Sequence, residues 1–115
     1  MTTRIYHNPK CSTSRKVLEA LRNAGEEPEV VEYLKTPPSK AELKDLLKRM
    51  KMRPRDLLRK KEALYKELGL DEEKKSDEQI IDAMIAHPIL IERPIVVTKK
   101  GVRLGRPPEI VNEIL

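Results

Sequence analysis

The chain has 115 residues, a single cysteine, two histidines, no Trp or Phe, and 24 Lys and Arg against 19 Asp and Glu, a net charge of +5. That length suits one domain whose core rests on Leu, Ile, Val, Met and Ala, and a lone thiol excludes an internal disulfide or a self-contained dithiol cycle. One Cys and two His do not make a metal-ligand cluster, and the absence of a signal-like or bilayer-length apolar run predicts a soluble protein of a reducing, cytoplasmic compartment, with no membrane partner.

In chain order, "TRIYH" (residues 3–7) alternates and carries β-formers, which predicts a short strand ended by "NPK". From Ser12 to Ala24, Val17, Leu18, Leu21 and Ala24 recur at helical spacing, with Ser12, Thr13 and Ser14 available as caps and Gly25 as the residue just past the end. "EPEVVEYL" (residues 27–34) is a second strand. Ser39 and Glu42 form a capping-box pattern ahead of Leu43, Leu46, Leu47 and Met50. "RPRDLLRKKEALYKELGL" is helical in short pieces from Pro54 to Gly69, and "DEEKKSDEQ" is a polar connector. Ser76 and Gln79 open another helix bearing Ile80, Ile81, Met84 and Ile85, which His87 and Pro88 stop.

"RPIVVT" and "VRLG", joined by "KKG", read as an antiparallel pair. Pro107 and Pro108 suit the first turn of a last helix that buries Ile110, Val111, Ile114 and Leu115. The order β-α-β, then helices, then β-β-α predicts a single α/β domain. Its outer parts form a small mixed sheet with helices packed on it, and a helical block is inserted at residues 39–86.

Chemistry concentrates at "HNPKCSTSRK". Cys11 falls between the first strand and the first helix, so its sulfur meets the unpaired N–H groups of a helix N-terminus. An ordinary cysteine, with a pKa of about 8.5, is only about 3% ionised at pH 7. Helix N-termini and nearby cations favour the thiolate, which is the reactive form. With Ser14 three residues on, the motif is C-x-x-S: it can begin a thiol reaction but cannot close its own disulfide.

Three arginines stand apart from those on polar helical faces. Arg59 closes "RDLLR". Arg93 precedes Pro94 at the head of the "IVV" strand, and Arg106 lies in "LGRPPE" between a strand and a helix. Arginine grips a tetrahedral oxyanion through its planar fork of donors, and loop–element junctions are where such groups are commonly held. In the β-α-β plus β-β-α plan, the junction bearing Arg93 can lie beside the first strand–helix turn. Nucleic-acid binding is not expected, since Tyr6, Tyr33 and Tyr65 are the only aromatic rings to stack on.

"IYHNPKCSTSRKVLEAL", "YLKTPPS", "DLLRKKEALYKELGL", "HPILIERPIVVT" and "RLGRPPEIV", taken together and in order, resemble the glutaredoxin-coupled arsenate reductases, most of all their shorter chromosomal branch. The likeness runs over nearly the whole chain and implies a thioredoxin-like fold with a helical insertion. It also implies roles. Cys11 matches the nucleophile that attacks arsenate, and Arg59, Arg93 and Arg106 match the arginines that bind the oxyanion and stabilise intermediates. His7 matches a histidine that helps keep the cysteine ionised, Ser14 a serine that hydrogen-bonds the thiolate, and Asn8 a residue supporting the turn. Pro94 matches the cis-proline of the fold, while Ser12 departs from the glycine common at that position.

The implied partners are arsenate, glutathione as co-substrate and glutaredoxin, with no bound cofactor. Two other readings share the fold: a stress regulator that binds RNA polymerase, against which the missing second cysteine argues, and a thiol oxidoreductase with another substrate.

Overall fold

The computed structural model describes residues 3–115. It comprises two compact units. One runs to Thr36 and resumes with Arg93–Leu115; the other is Pro37–Glu92.

The first unit contains β1 (Arg4–His7), α1 (Ser12–Asn23), β2 (Glu29–Glu32), β3 (Ile95–Thr98) and β4 (Gly101–Leu104), and ends in a 3-10 helix, Pro108–Ile114. The strands form one mixed sheet in the order β2-β1-β3-β4. β1 pairs parallel with β2, Ile5 opposite Val30, and antiparallel with β3, Ile5 opposite Val96. β3 pairs antiparallel with β4. This is the predicted order of strands and helices.

Position in the sheet explains the strand sequences. Every residue of β3 is buried, as are Ile5, Tyr6 and His7 of β1, and strands covered on both faces read as apolar runs. β2 lies at an edge, and the glutamates at its two ends discourage pairing with another chain.

Helix α1 buries Val17, Leu18 and Leu21 against Ile5, Val96, Val111 and Ile114. Each such side chain contributes about 1.5–3 kcal/mol on burial. The helix ends as predicted. Gly25 has φ +86°, its N–H donates to the carbonyl of Arg22, and the N–H of Glu26 donates to that of Leu21, which completes a Schellman motif. Ala24, expected on the apolar face, is exposed at the helix end.

The C-terminal helix differs from its expected form. It is a 3-10 helix, and it buries Val111 and Ile114 but leaves Ile110 and Leu115 half-buried. Three residues per turn stack positions three apart, so Val111 and Ile114 share the face turned to α1. Pro107 stands before this helix at a cis Arg106–Pro107 bond.

The second unit contains α2 (Lys40–Met50), α3 (Ala63–Glu67) and α4 (Asp77–Ala86), with 3-10 turns at Pro54–Leu57 and Pro88–Leu90. Both predicted capping boxes are present. Ser39 Oγ accepts from the N–H of Glu42, and Ser76 Oγ from that of Gln79. Leu43, Leu46, Leu47, Leu57, Ile80, Ile81, Met84 and Leu90 are buried. Arg55 donates to the carbonyls of Leu70, Glu72 and Lys75, which ties down the polar connector. No helix among the described residues is long and apolar enough to cross a membrane.

Candidate active site

The site is built on the turn between β1 and α1, and Asn8 organises that turn. Its carbonyl accepts from the N–H of Cys11 at 3.0 Å, and its side-chain Oδ1 accepts from the N–H of Lys10 at 3.0 Å. An asparagine bonding to backbone two residues on is a recurrent turn device, so the residue is suited to its place. The N–H of Asn8 donates to Ser14 Oγ at 3.1 Å, and the same hydroxyl lies 2.6 Å from His7 Nδ1. His7, Asn8 and Ser14 are all buried. The end of β1, the turn and the first turn of α1 are thus one hydrogen-bonded unit.

This arrangement revises the part expected of the hydroxyls. The N-cap of α1 is Cys11 itself, in extended conformation (φ −92°, ψ 121°) and without a side-chain cap. Ser14 turns its hydroxyl back to β1, while its backbone N–H favours the charged form of the Cys11 sulfur. His7 belongs to the same hydrogen-bonded unit. Burial holds its imidazole below the usual range, the charges of Arg22 and Arg15 act in the same direction, and Glu32 opposes them. His7 meets the Ser14 hydroxyl through Nδ1, and its lowered pKa disfavours the charged ring.

Cys11 is partly exposed and its thiol is free. Burial pushes its pKa up, but the Ser14 N–H, the Arg106 guanidinium, the Thr13 N–H and the charge of Arg93 together outweigh burial, so the thiol lies below its ordinary value. Two of these contributions are the first-turn amides of α1, groups with no partner inside the helix. Arg106 Nη1 stands 3.9 Å from Sγ and donates to the Arg93 carbonyl at 2.8 Å. Arg93 is buried, and the Arg93–Pro94 bond is cis.

Gly105 is a residue whose part the sequence did not reveal. Its N–H donates to the Pro94 carbonyl at 2.8 Å. A Cβ there would lie 3.0 Å from Val17 Cγ2 and 3.1 Å from Pro94 Cγ. A side chain there would have to push Val17 or Pro94 aside, so glycine lets the segment between β4 and Arg106 pack this closely against α1 and Pro94. The signal available in advance was a glycine immediately before a junction arginine.

Six candidate residues, His7, Asn8, Cys11, Ser14, Arg93 and Arg106, belong to the first unit. Arg59 belongs to the second. Its Nη1 pairs with Glu92 at 3.0 Å and its Nε with Glu62 at 3.3 Å. Its N–H donates to the Leu90 carbonyl, beside the bridge between Leu58 and Ile91. Among the described residues, no group of three or more His, Cys, Asp and Glu could hold a metal ion.

A thiolate at a helix N-terminus, flanked by guanidinium donors, can attack an electrophilic centre carried by an oxyanion. Similarity to known proteins points the same way. The ArsC family model matches residues 6–114. The chain is 57% identical over 111 residues to the arsenate reductase of Acidiphilium multivorum, covering 96% of this chain and 79% of that protein. It is 54% identical over 113 residues to the YfgD protein of Escherichia coli strain K12, covering 97% and 95%. The solved structure of the arsenate reductase from Vibrio cholerae superposes with a TM-score of 0.96 at 52% identity, over 100% of this chain and 98% of that one.

Proposed function

The chain belongs to the ArsC family, and on that premise we propose that it is an arsenate reductase acting in the cytoplasm, with glutathione and glutaredoxin supplying the electrons. The observation that supports this reading most directly is the Cys11 sulfur, held toward its ionised form by the Ser14 and Thr13 amides with Arg106 Nη1 3.9 Å away.

The Cys11 thiolate attacks arsenic(V), an S–As bond forms, and an arsenate oxygen leaves as water or hydroxide. Arg93 and Arg106 offset the charge that builds on the remaining oxygens. Glutathione then displaces a second oxygen to form its own S–As bond. A glutaredoxin thiolate attacks the glutathione sulfur and forms a mixed disulfide. The electron pair of the broken S–As bond stays on arsenic, which becomes arsenic(III). Water cleaves the remaining bond, releasing arsenite and the Cys11 thiol. A single protein thiol suffices because both electrons come from outside thiols.

Phosphate has nearly the same shape and charge as arsenate, so the arginine grip discriminates little between them. Discrimination comes from the chemistry, since arsenic accepts a thiolate and is reduced whereas phosphorus is not. The test supplies arsenate, glutathione, glutaredoxin and an NADPH-driven recycling system. Arsenite formation by the protein and background levels from Cys11→Ser are expected. Equal yields from the two proteins would overturn the assignment.

A further inference from the structure

A groove of about 450 Å³ runs along the outer face of α1, with His7 and Pro9 of the nucleophile's turn at one end and Arg15, Leu18, Glu19 and Arg22 along its length. We propose that this groove is the seat of the glutathione molecule that follows arsenate, with Arg15, Glu19 and Arg22 as its recognition groups; the proposal rests on the reductase reading above.

The helix places these residues in line with the nucleophile. Positions 11, 15, 18, 19 and 22 are four, three, one and three residues apart, which keeps them on one side of a helix with 3.6 residues per turn. Arg15 is therefore one turn along from the Cys11 N-cap, roughly 6 Å down the axis, and Arg22 is about 10 Å beyond Arg15. An extended tripeptide spans a similar ~10 Å. The end of the groove formed by His7 and Pro9 belongs to the same turn that carries the sulfur.

Charge matches as well as length. Glutathione carries two carboxylates and one ammonium. The groove offers two guanidinium groups and one carboxylate. Glu19 and Arg22 are three apart, so their Cβ atoms stand about 5–6 Å from one another. That spacing suits the γ-glutamyl head, where ammonium and carboxylate share one carbon. Arg15, nearer the nucleophile, faces the glycine carboxylate. Its Nη1 donates to the Pro9 carbonyl at 2.9 Å, so the guanidinium is already tethered to the turn. Leu18 gives the groove a largely buried apolar floor. Other charged helical surfaces lack this character: Lys40 and Lys44 are engaged by Glu78 and Asp82.

Two measurements test this. In steady-state arsenate reduction, Arg22→Glu and Glu19→Lys are expected to raise the KM for glutathione about tenfold and leave the KM for arsenate within twofold. With 2-mercaptoethanol, a thiol without charge, each variant is expected to match the parent. Wild-type turnover with an unchanged glutathione KM in both variants would overturn the groove and leave the reductase reading intact. Binding is tested without turnover by titrating S-methylglutathione, which cannot react, into the free protein. Amide NMR shifts are expected in residues 15–23, and their loss in Arg22→Glu. Shifts confined to other parts of the chain, or none at millimolar ligand, would overturn the proposal. Binding here by a protein that forms no arsenite would support the groove and remove the reductase reading instead.

Discussion

The guanidinium of Arg106 and the sulfur of Cys11 meet across 95 residues of sequence, Nη1 and Sγ 3.9 Å apart. The same nitrogen donates to the Arg93 carbonyl, so one side chain joins the last junction of the fold to the head of β3 and to the first helix. Its removal tests how far the sulfur depends on it.

Alkylation of Cys11 by iodoacetamide should rise with pH to a midpoint below that of a free cysteine, because the folded protein lowers this pKa. Arg106→Ala should move the midpoint upward, and Cys11→Ser should abolish labelling. A group whose pKa falls on folding adds stability above its unfolded value, and that stability is lost as pH drops through the folded value. Cys11 therefore contributes stability above the ordinary cysteine value, and that stability is lost as pH falls through its lowered folded value. The measurement is urea denaturation of the parent and Cys11→Ser across that range, and parallel pH curves would contradict the expectation.

Ser14→Ala removes the shared partner of His7 Nδ1 and the Asn8 N–H, both buried. Leaving buried polar groups unsatisfied costs about 1–3 kcal/mol, so urea denaturation should show a loss of that order. The His7 imidazole, lowered by burial, should titrate in NMR below the ordinary histidine range. Its contribution to stability is complete above the unfolded pKa of about 6.5 and is lost as pH falls through the folded value. A His7 midpoint above 6.5 would show that the ring is held as a cation instead.

Gly105→Ala should destabilise the protein by about 1–3 kcal/mol, the usual range for overpacking a tight contact, because its Cβ would press on Val17 and Pro94. The shift displaces the strand that leads into Arg106, so the Cys11 alkylation midpoint should also rise. A variant as stable as the parent would mean that α1 yields easily at Val17.

Lys51 ends α2 in the left-handed conformation, φ 57°. The N–H of Met52 donates to the Leu47 carbonyl and that of Lys51 to the Lys48 carbonyl, the Schellman pattern around a non-glycine residue. A residue with a Cβ loses roughly 1–2 kcal/mol in that conformation, while glycine costs up to about 1 kcal/mol in backbone entropy. Lys51→Gly should therefore stabilise by up to about 1 kcal/mol in urea denaturation, and any loss of stability would count against this account.

The local grammar of the fold was readable from the chain. Both capping boxes, the Gly25 stop and the β3–β4 hairpin depend on residues within a few positions of each other, and single-residue chemistry dictates them. The nucleophile's turn was readable for the same reason. What escaped was decided by distant packing. The last helix is a 3-10 helix that packs Val111 and Ile114 against α1, a form its own residues did not announce. The close approach at Gly105 depends on Val17, far away in sequence. The hydroxyl of Ser14 could have served as a cap, yet a buried histidine opposite it takes the bond. Lys51 gave no warning at all, since lysine is an ordinary helix former and its backbone angle is imposed by the chain that follows.

Helix α1 starts on a thiol where a serine or aspartate would ordinarily stand, and so forgoes about 1 kcal/mol of capping. Its opening turn is finished by negative charge that comes and goes, first the ionised sulfur and then any oxyanion seated beside it. An oxyanion held tightly there that cannot react should therefore raise the melting temperature.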